Sequence, residues 1–188
     1  HIYRHFQDEI RESVRYLVEP GDEIFVRDDR LISIKNKVEK GGDASFEAIV
    51  SSMRPYGLRG DVFKDPSKYG LPSMSQVPIE KCYRILGLEN LKRTYRYVPA
   101  NYPISSENLN IDKYKIFITR NWGIGSLDDI PSSPVIARPG DICTETFIEI
   151  GGFGTEKEAR NVYSYICTKF FRALVSIRKQ DQGASKAV

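Results

Sequence analysis

The spacing of apolar positions changes character along this chain. Near the start Ile10, Val14 and Leu17 recur at helical spacing until Glu19-Pro20-Gly21, which predicts an N-terminal helix. The stretch EIFVRDDRLISIKNKVEK supports two readings: strands built on Ile24, Val26, Leu31, Ile32 and Ile34, or a second helix from Asp29. Gly41-Gly42-Asp43 interrupts either one, and sets a boundary between an arm (residues 1–43) and a body (residues 44–188). FEAIVSS is a short element behind that break. From Pro55 to Pro103 the chain is rich in Gly, Pro, Ser and Tyr, and predicts short strands at KCYRILGL and RTYRYV joined by long loops. YKIFITR, Tyr114 to Arg120, alternates as a strand. VIARPGDICTETFIEIGGF predicts a hairpin or strand pair about Pro139-Gly140. Thr155 followed by Glu158 is a capping-box pair. Behind it Ala159, Val162, Ile166, Phe170, Leu174 and Ile177 step by three or four, which predicts one long helix to about Lys179. The expected fold class is α+β: a mixed or antiparallel sheet, a long C-terminal amphipathic helix and a helical N-terminal arm.

Composition adds an asymmetry. The net charge of +3 over 188 residues is modest. However, residues 1–50 hold 8 Lys and Arg against 11 Asp and Glu, whereas the remainder holds 20 against 14. A basic body behind an acidic arm suits a polyanionic partner for the body, and solvated charge alone also produces such a split. Cys82, Cys143 and Cys167 are odd in number and lack CxxC spacing, so a reducing, cytoplasmic setting is expected, without disulfides or zinc. No run of 18 or more apolar residues occurs, and the start does not read as a signal peptide, so no membrane is expected. The chain opens within a helical pattern and stops at GASKAV, and so reads as a piece of a longer protein.

Several motifs are better explained by structure than by chemistry. GGFGTEKEA sits between a strand and a helix, where glycine loops hold phosphates. It lacks the third glycine of GxGxxG and the GK[ST] of a P-loop, so a capped strand-to-helix turn is the expectation. Gly123 and Gly125 also lack a third partner. The two histidines, His1 and His5, lie at the extreme start, so Ser/His or Cys/His nucleophilic chemistry has no obvious base. Glu145, between two threonines, is expected to be an N–H-bonded or cross-strand carboxylate.

The basic positions say more. SSMRPYGLRGD offers Arg54 and Arg59 beside Tyr56 in a turn-prone stretch. Lys169, Arg172, Ser176 and Lys179 step along the side of the long helix opposite its apolar row, with Arg178 adjacent. They lead into RKQDQGASK, which is rich in phosphate- and base-bonding side chains. TRNWGIG adds Arg120, Asn121 and Trp122. For Tyr56 and Trp122, burial in a core competes with base stacking.

SSMRPYGLRG, DKYKIFITRNWGIG and CTETFIEIGGFGTEKEARNVYSYICTKFFRALVSIRKQDQGASK together resemble the target-recognition region of adenine-specific DNA methyltransferases from restriction–modification systems. The resemblance is to type IIG-like proteins and their TaqI-like C-terminal specificity region, from about Phe46 onward. It implies a reader of duplex DNA that delivers an adenine to a catalytic methyltransferase domain of the same parent chain. S-adenosylmethionine would serve that absent domain, and magnesium a parent that also cleaves DNA. The Asn/Asp-Pro-Pro-Tyr motif and cofactor glycine loop of such domains do not occur here, so no catalysis is expected of this chain, and residues 44–188 would be a C-terminally truncated recognition domain. On this reading Arg54, Arg59, Lys169, Arg172, Arg178 and Lys179 contact phosphates or guanines. Arg120 joins them, and Tyr56, Asn121, Trp122 and Gln182 meet bases. Two rival classes are a small magnesium-dependent nuclease or nucleotide-binding enzyme, centred on Glu145 or Asp112, and a scaffold whose basic helix docks an acidic partner.

Overall fold

The computed structural model describes residues 2–6, 9–13, 18, 25–26, 28–42, 44–102, 104, 110–122 and 133–178. Its first elements depart from the helical arm. Ile2–Phe6 (β1) and Glu9–Ser13 (β2) pair antiparallel, with Arg4 opposite Arg11 and His5 opposite Ile10. Ile10 is therefore a strand residue, while Val14 and Leu17 lie outside the described residues. Helical structure in the arm begins later. A 3-10 turn over Asp29–Leu31, capped by Asp28 accepting the Arg30 N–H at 3.1 Å, leads into α1 (Ile32–Gly41). Gly42 closes that helix at φ 67°, a left-handed position suited to glycine. The helical reading of this stretch therefore holds. Val26 and Leu31 form a small apolar cluster with Ile177.

The strands predicted in the middle of the chain form as expected. Cys82–Glu89 (β3) and Lys92–Pro99 (β4) are a hairpin, and Tyr114–Thr119 is β5. Val135–Ala137 (β6) and Asp141–Cys143 (β7) do not pair with each other, contrary to the expected hairpin about Pro139-Gly140. β6 pairs antiparallel with β5, and β7 runs parallel to β3. The Pro139-Gly140 turn instead carries the chain from one sheet to another. Phe147–Phe153 (β8) then returns to pair with β5. The result is two three-stranded sheets, β4-β3-β7 and β6-β5-β8.

Side-chain alternation makes the second sheet a shared wall. Phe117 and Phe147 join the larger core with Ile85, Leu86, Val98, Ile142 and the loop residues Tyr56, Leu58, Val62 and Leu71. Ile116, Ile118, Ile148 and Ile150 face the other way, into a core with Trp122, Ile166 and Phe171. Burial on both faces explains why YKIFITR and FIEI are so apolar.

The long C-terminal helix is two helices, α2 (Glu156–Ile166) and α3 (Lys169–Arg178). The capping box at Thr155 and Glu158 forms as read. Thr168 causes the break: its hydroxyl donates to the Tyr165 carbonyl at 2.7 Å and accepts the Phe171 N–H at 3.1 Å, starting a new helix. The interruption rotates the apolar row. Phe171 is 6% exposed, whereas Phe170, expected in the core, is 48% exposed. No helix among the described residues is long and apolar enough to cross a membrane.

Candidate nucleic-acid interface

The loop over residues 51–61 is shaped by two glutamates that follow it by some ninety positions. Val50 bridges Ile150, and Ser51 donates its N–H to the Glu149 carbonyl at 2.8 Å, so the chain crosses the open edge of β8. Gly57 then donates to the Arg54 carbonyl at 3.0 Å, closing a turn about Pro55-Tyr56 with Arg54 at φ 59°. That turn drops Tyr56 into the core, where its hydroxyl donates to Glu149. Asn110 completes the arrangement: its Nδ2 donates to Glu149 Oε1 at 3.0 Å and to the Gly151 carbonyl at 2.8 Å. Gly152, at φ 130°, is required here, since a Cβ would come within 2.1 Å of Asn110 Oδ1. Burial first, and the Glu149 charge second, push the Tyr56 phenol well above its usual range, so it remains a donor.

Glu145 fastens the loop's outer side. Its main-chain N–H donates to the Leu58 carbonyl at 2.8 Å, Gly60 donates to its Oε1 at 3.3 Å, and Arg54 Nε lies 3.0 Å from its Oε2. It is thus the N–H-bonded carboxylate expected from the sequence. Among the described residues no three His, Cys, Asp or Glu side chains gather as metal ligands. The GGFGTEKEA turn is likewise filled from within, because Glu158 Oε2 accepts the Gly154 N–H at 2.9 Å.

The main chain brings part of the expected basic set to the turn at Glu145 and Thr146. Arg54 is 44% exposed, and Arg59 is exposed with no ion pair among the described residues. Arg120, at the end of β5, donates its main-chain N–H to the Thr146 carbonyl at 2.8 Å, and Asn121 beside it is exposed. Beyond Arg59, Lys68 pairs with Asp61 at 2.6 Å, and that bond holds the Asp61 carboxyl below its usual range.

Other expected contacts require correction. Tyr56 is fully buried and Trp122 is 7% exposed, so neither ring can stack on a base without the core opening. α3 packs through Phe171 on the sheet face opposite the one that receives Tyr56, beside Phe46 and Val50. Lys169 and Arg178 are exposed. Arg172 is half-buried, its Nε without a hydrogen-bond partner among the described residues, and Ser176 is buried rather than part of a solvent-facing stripe. Lys179 and Gln182 lie outside the described residues.

Sequence reasoning missed the β3–β4 hairpin as part of this end of the molecule. Leu86 accepts the Thr144 N–H at 3.0 Å, which sets the hairpin beside the Glu145 turn. Arg93 lies over the Phe147 ring and Arg96 over the Phe63 ring, each 5.6 Å from the centroid. Lys92 is exposed. The interleaved arginines of KRTYRYV were the clue. Also missed was Lys115, fully buried, whose Nζ donates to the carbonyls of Asn110, Ile111 and Lys113 at 2.8, 3.0 and 3.1 Å. Burial lowers its pKa, and the nearby Glu149 charge partly offsets that.

No family model matches the chain, and no curated protein and no solved structure matches it either.

Proposed function

We propose that this chain is a DNA-sequence-recognition module that does not itself catalyse a reaction. The exposed Arg54 and Arg59 on a loop fastened by Glu145, with Arg120 and Asn121 following the strand end that bonds the adjacent Thr146, support the reading. Arginine forks suit phosphate oxygens and guanine edges, and an asparagine amide suits adenine. The likeness of SSMRPYGLRG and CTETFIEIGGF to adenine-specific methyltransferases of restriction–modification systems supports the same reading, since those two stretches are joined here through Glu145 and Glu149. On it, the module acts in the cytoplasm and positions the target adenine for a catalytic domain of the parent chain. That domain would use S-adenosylmethionine, with magnesium if the parent also cleaves.

Titration of the chain against duplex DNA at several ionic strengths tests this. Binding should weaken steeply with salt, with a log–log slope of about −0.9 for each phosphate neutralised. Absence of binding at low salt, or binding indifferent to salt, overturns the proposal.

A further inference from the structure

The β3–β4 turn is built against its own conformational preferences. Glu89 pairs with Lys92, so the turn has two central residues, Asn90 at φ 50° and Leu91 at φ 63°. Hairpin turns with two left-handed positions favour Asn-Gly, because a side chain at the second position crowds the backbone. Leucine stands there instead. Its side chain is 95% exposed, so packing within the chain does not compensate for the strain. Around it the charge is mostly cationic: Lys92 is exposed at the turn itself, Arg93 lies over Phe147 and donates to the Ser133 carbonyl, Arg96 is ion-paired with Glu89 of the turn, and the Arg54–Arg59 loop lies at the same end.

Apolar side chains carried on basic elements enter the minor groove and prise base steps apart, and TA steps yield most easily. We propose that Leu91 is such a wedge, entering the stack of a duplex from the minor groove while the exposed Lys92 holds a flanking phosphate. This rests on the DNA-recognition reading and adds to it a means of unstacking a base step.

The test uses TA-containing duplexes with 2-aminopurine at the TA step, titrated at low ionic strength with the chain and its Leu91→Gly and Leu91→Ala variants. Leu91→Gly relieves the left-handed strain and so retains the fold. The unsubstituted chain should raise 2-aminopurine fluorescence. Leu91→Gly should abolish that rise and weaken binding roughly ten-fold, about the worth of one buried leucine contact, with the salt slope unchanged. Leu91→Ala should weaken both effects. Binding without a fluorescence rise, or an equal rise from the Gly variant, overturns the wedge while leaving DNA recognition intact. Failure of the unsubstituted chain to bind overturns both.

Discussion

The Tyr56 hydroxyl donates to the Glu149 carboxylate, although 93 residues separate the two in sequence. This bond joins the basic loop to the central sheet from inside the core. Tyr56→Phe leaves a buried carboxylate short of one donor and should cost about 1–3 kcal/mol, read by urea unfolding. A loss of under about 0.5 kcal/mol would mean that the main-chain bonds at Ser51 and the contacts to Glu145 suffice to hold the loop.

Alkaline pH probes the same bond. Burial and Glu149 hold the Tyr56 pKa above 10.0, and burial raises that of half-buried Tyr95 as well. The unfolded chain releases these protons from about pH 10.0, whereas the folded chain keeps them. The stability they contribute is therefore complete below pH 10.0 and falls as pH rises beyond it. Lys115 acts with the opposite sign. Burial lowers its pKa from 10.5, so the unfolded chain binds that proton more readily, and stability rises with pH in the window just below 10.5. Tyr56→Phe should flatten the alkaline loss, measured by denaturant midpoints across that range.

Arg54→Ala with Arg59→Ala should reduce the DNA salt slope by about 1.8, two phosphates' worth. Arg178→Ala, at the end of α3 next to the Ile177 cluster, should leave the slope unaltered. The reverse result would move the interface onto α3.

Gly152→Ala meets both Asn110 and a backbone at φ 130°, and should destabilise by about 1–3 kcal/mol. Gly60→Ala, with open space around its Cβ position, should remain within about 0.5 kcal/mol of the parent. Thermal melts of the pair separate the two.

The break at Thr168 makes neighbouring phenylalanines unequal. Phe171→Ala should cost about 3–5 kcal/mol, whereas Phe170→Ala should cost under about 1 kcal/mol, measured by denaturant titration. Equal costs would mean an unbroken helix.

Particular residues show where the sequence was legible. RTYRYV and YKIFITR announce their strands, and Thr155 with Glu158 announces the start of α2, because each signal is local. The N-terminal helix rests on three apolar residues, and at Ile10, the one of them that is described, cross-strand pairing with Ile2–Phe6 overrides so short a pattern. Pro139-Gly140 was legible as a turn, but which strands it separates depends on distant partners. Lys115 and Glu149 carried a usable signal that went unread: each is a charged residue in phase with a phenylalanine known to face inward, Phe117 and Phe147 respectively. Thr168 was likewise a cap hidden inside a helical period.

Glu145 has a consequence for any polyanion that approaches. Its carboxylate already occupies the place beside Arg54 that a phosphate would take, so the chain carries its own competitor. On the DNA-recognition proposal, a duplex would have to displace that carboxylate before it gained Arg54. Casual encounters would thereby be discounted, and only a ligand that also engaged the surrounding groups would recover the difference.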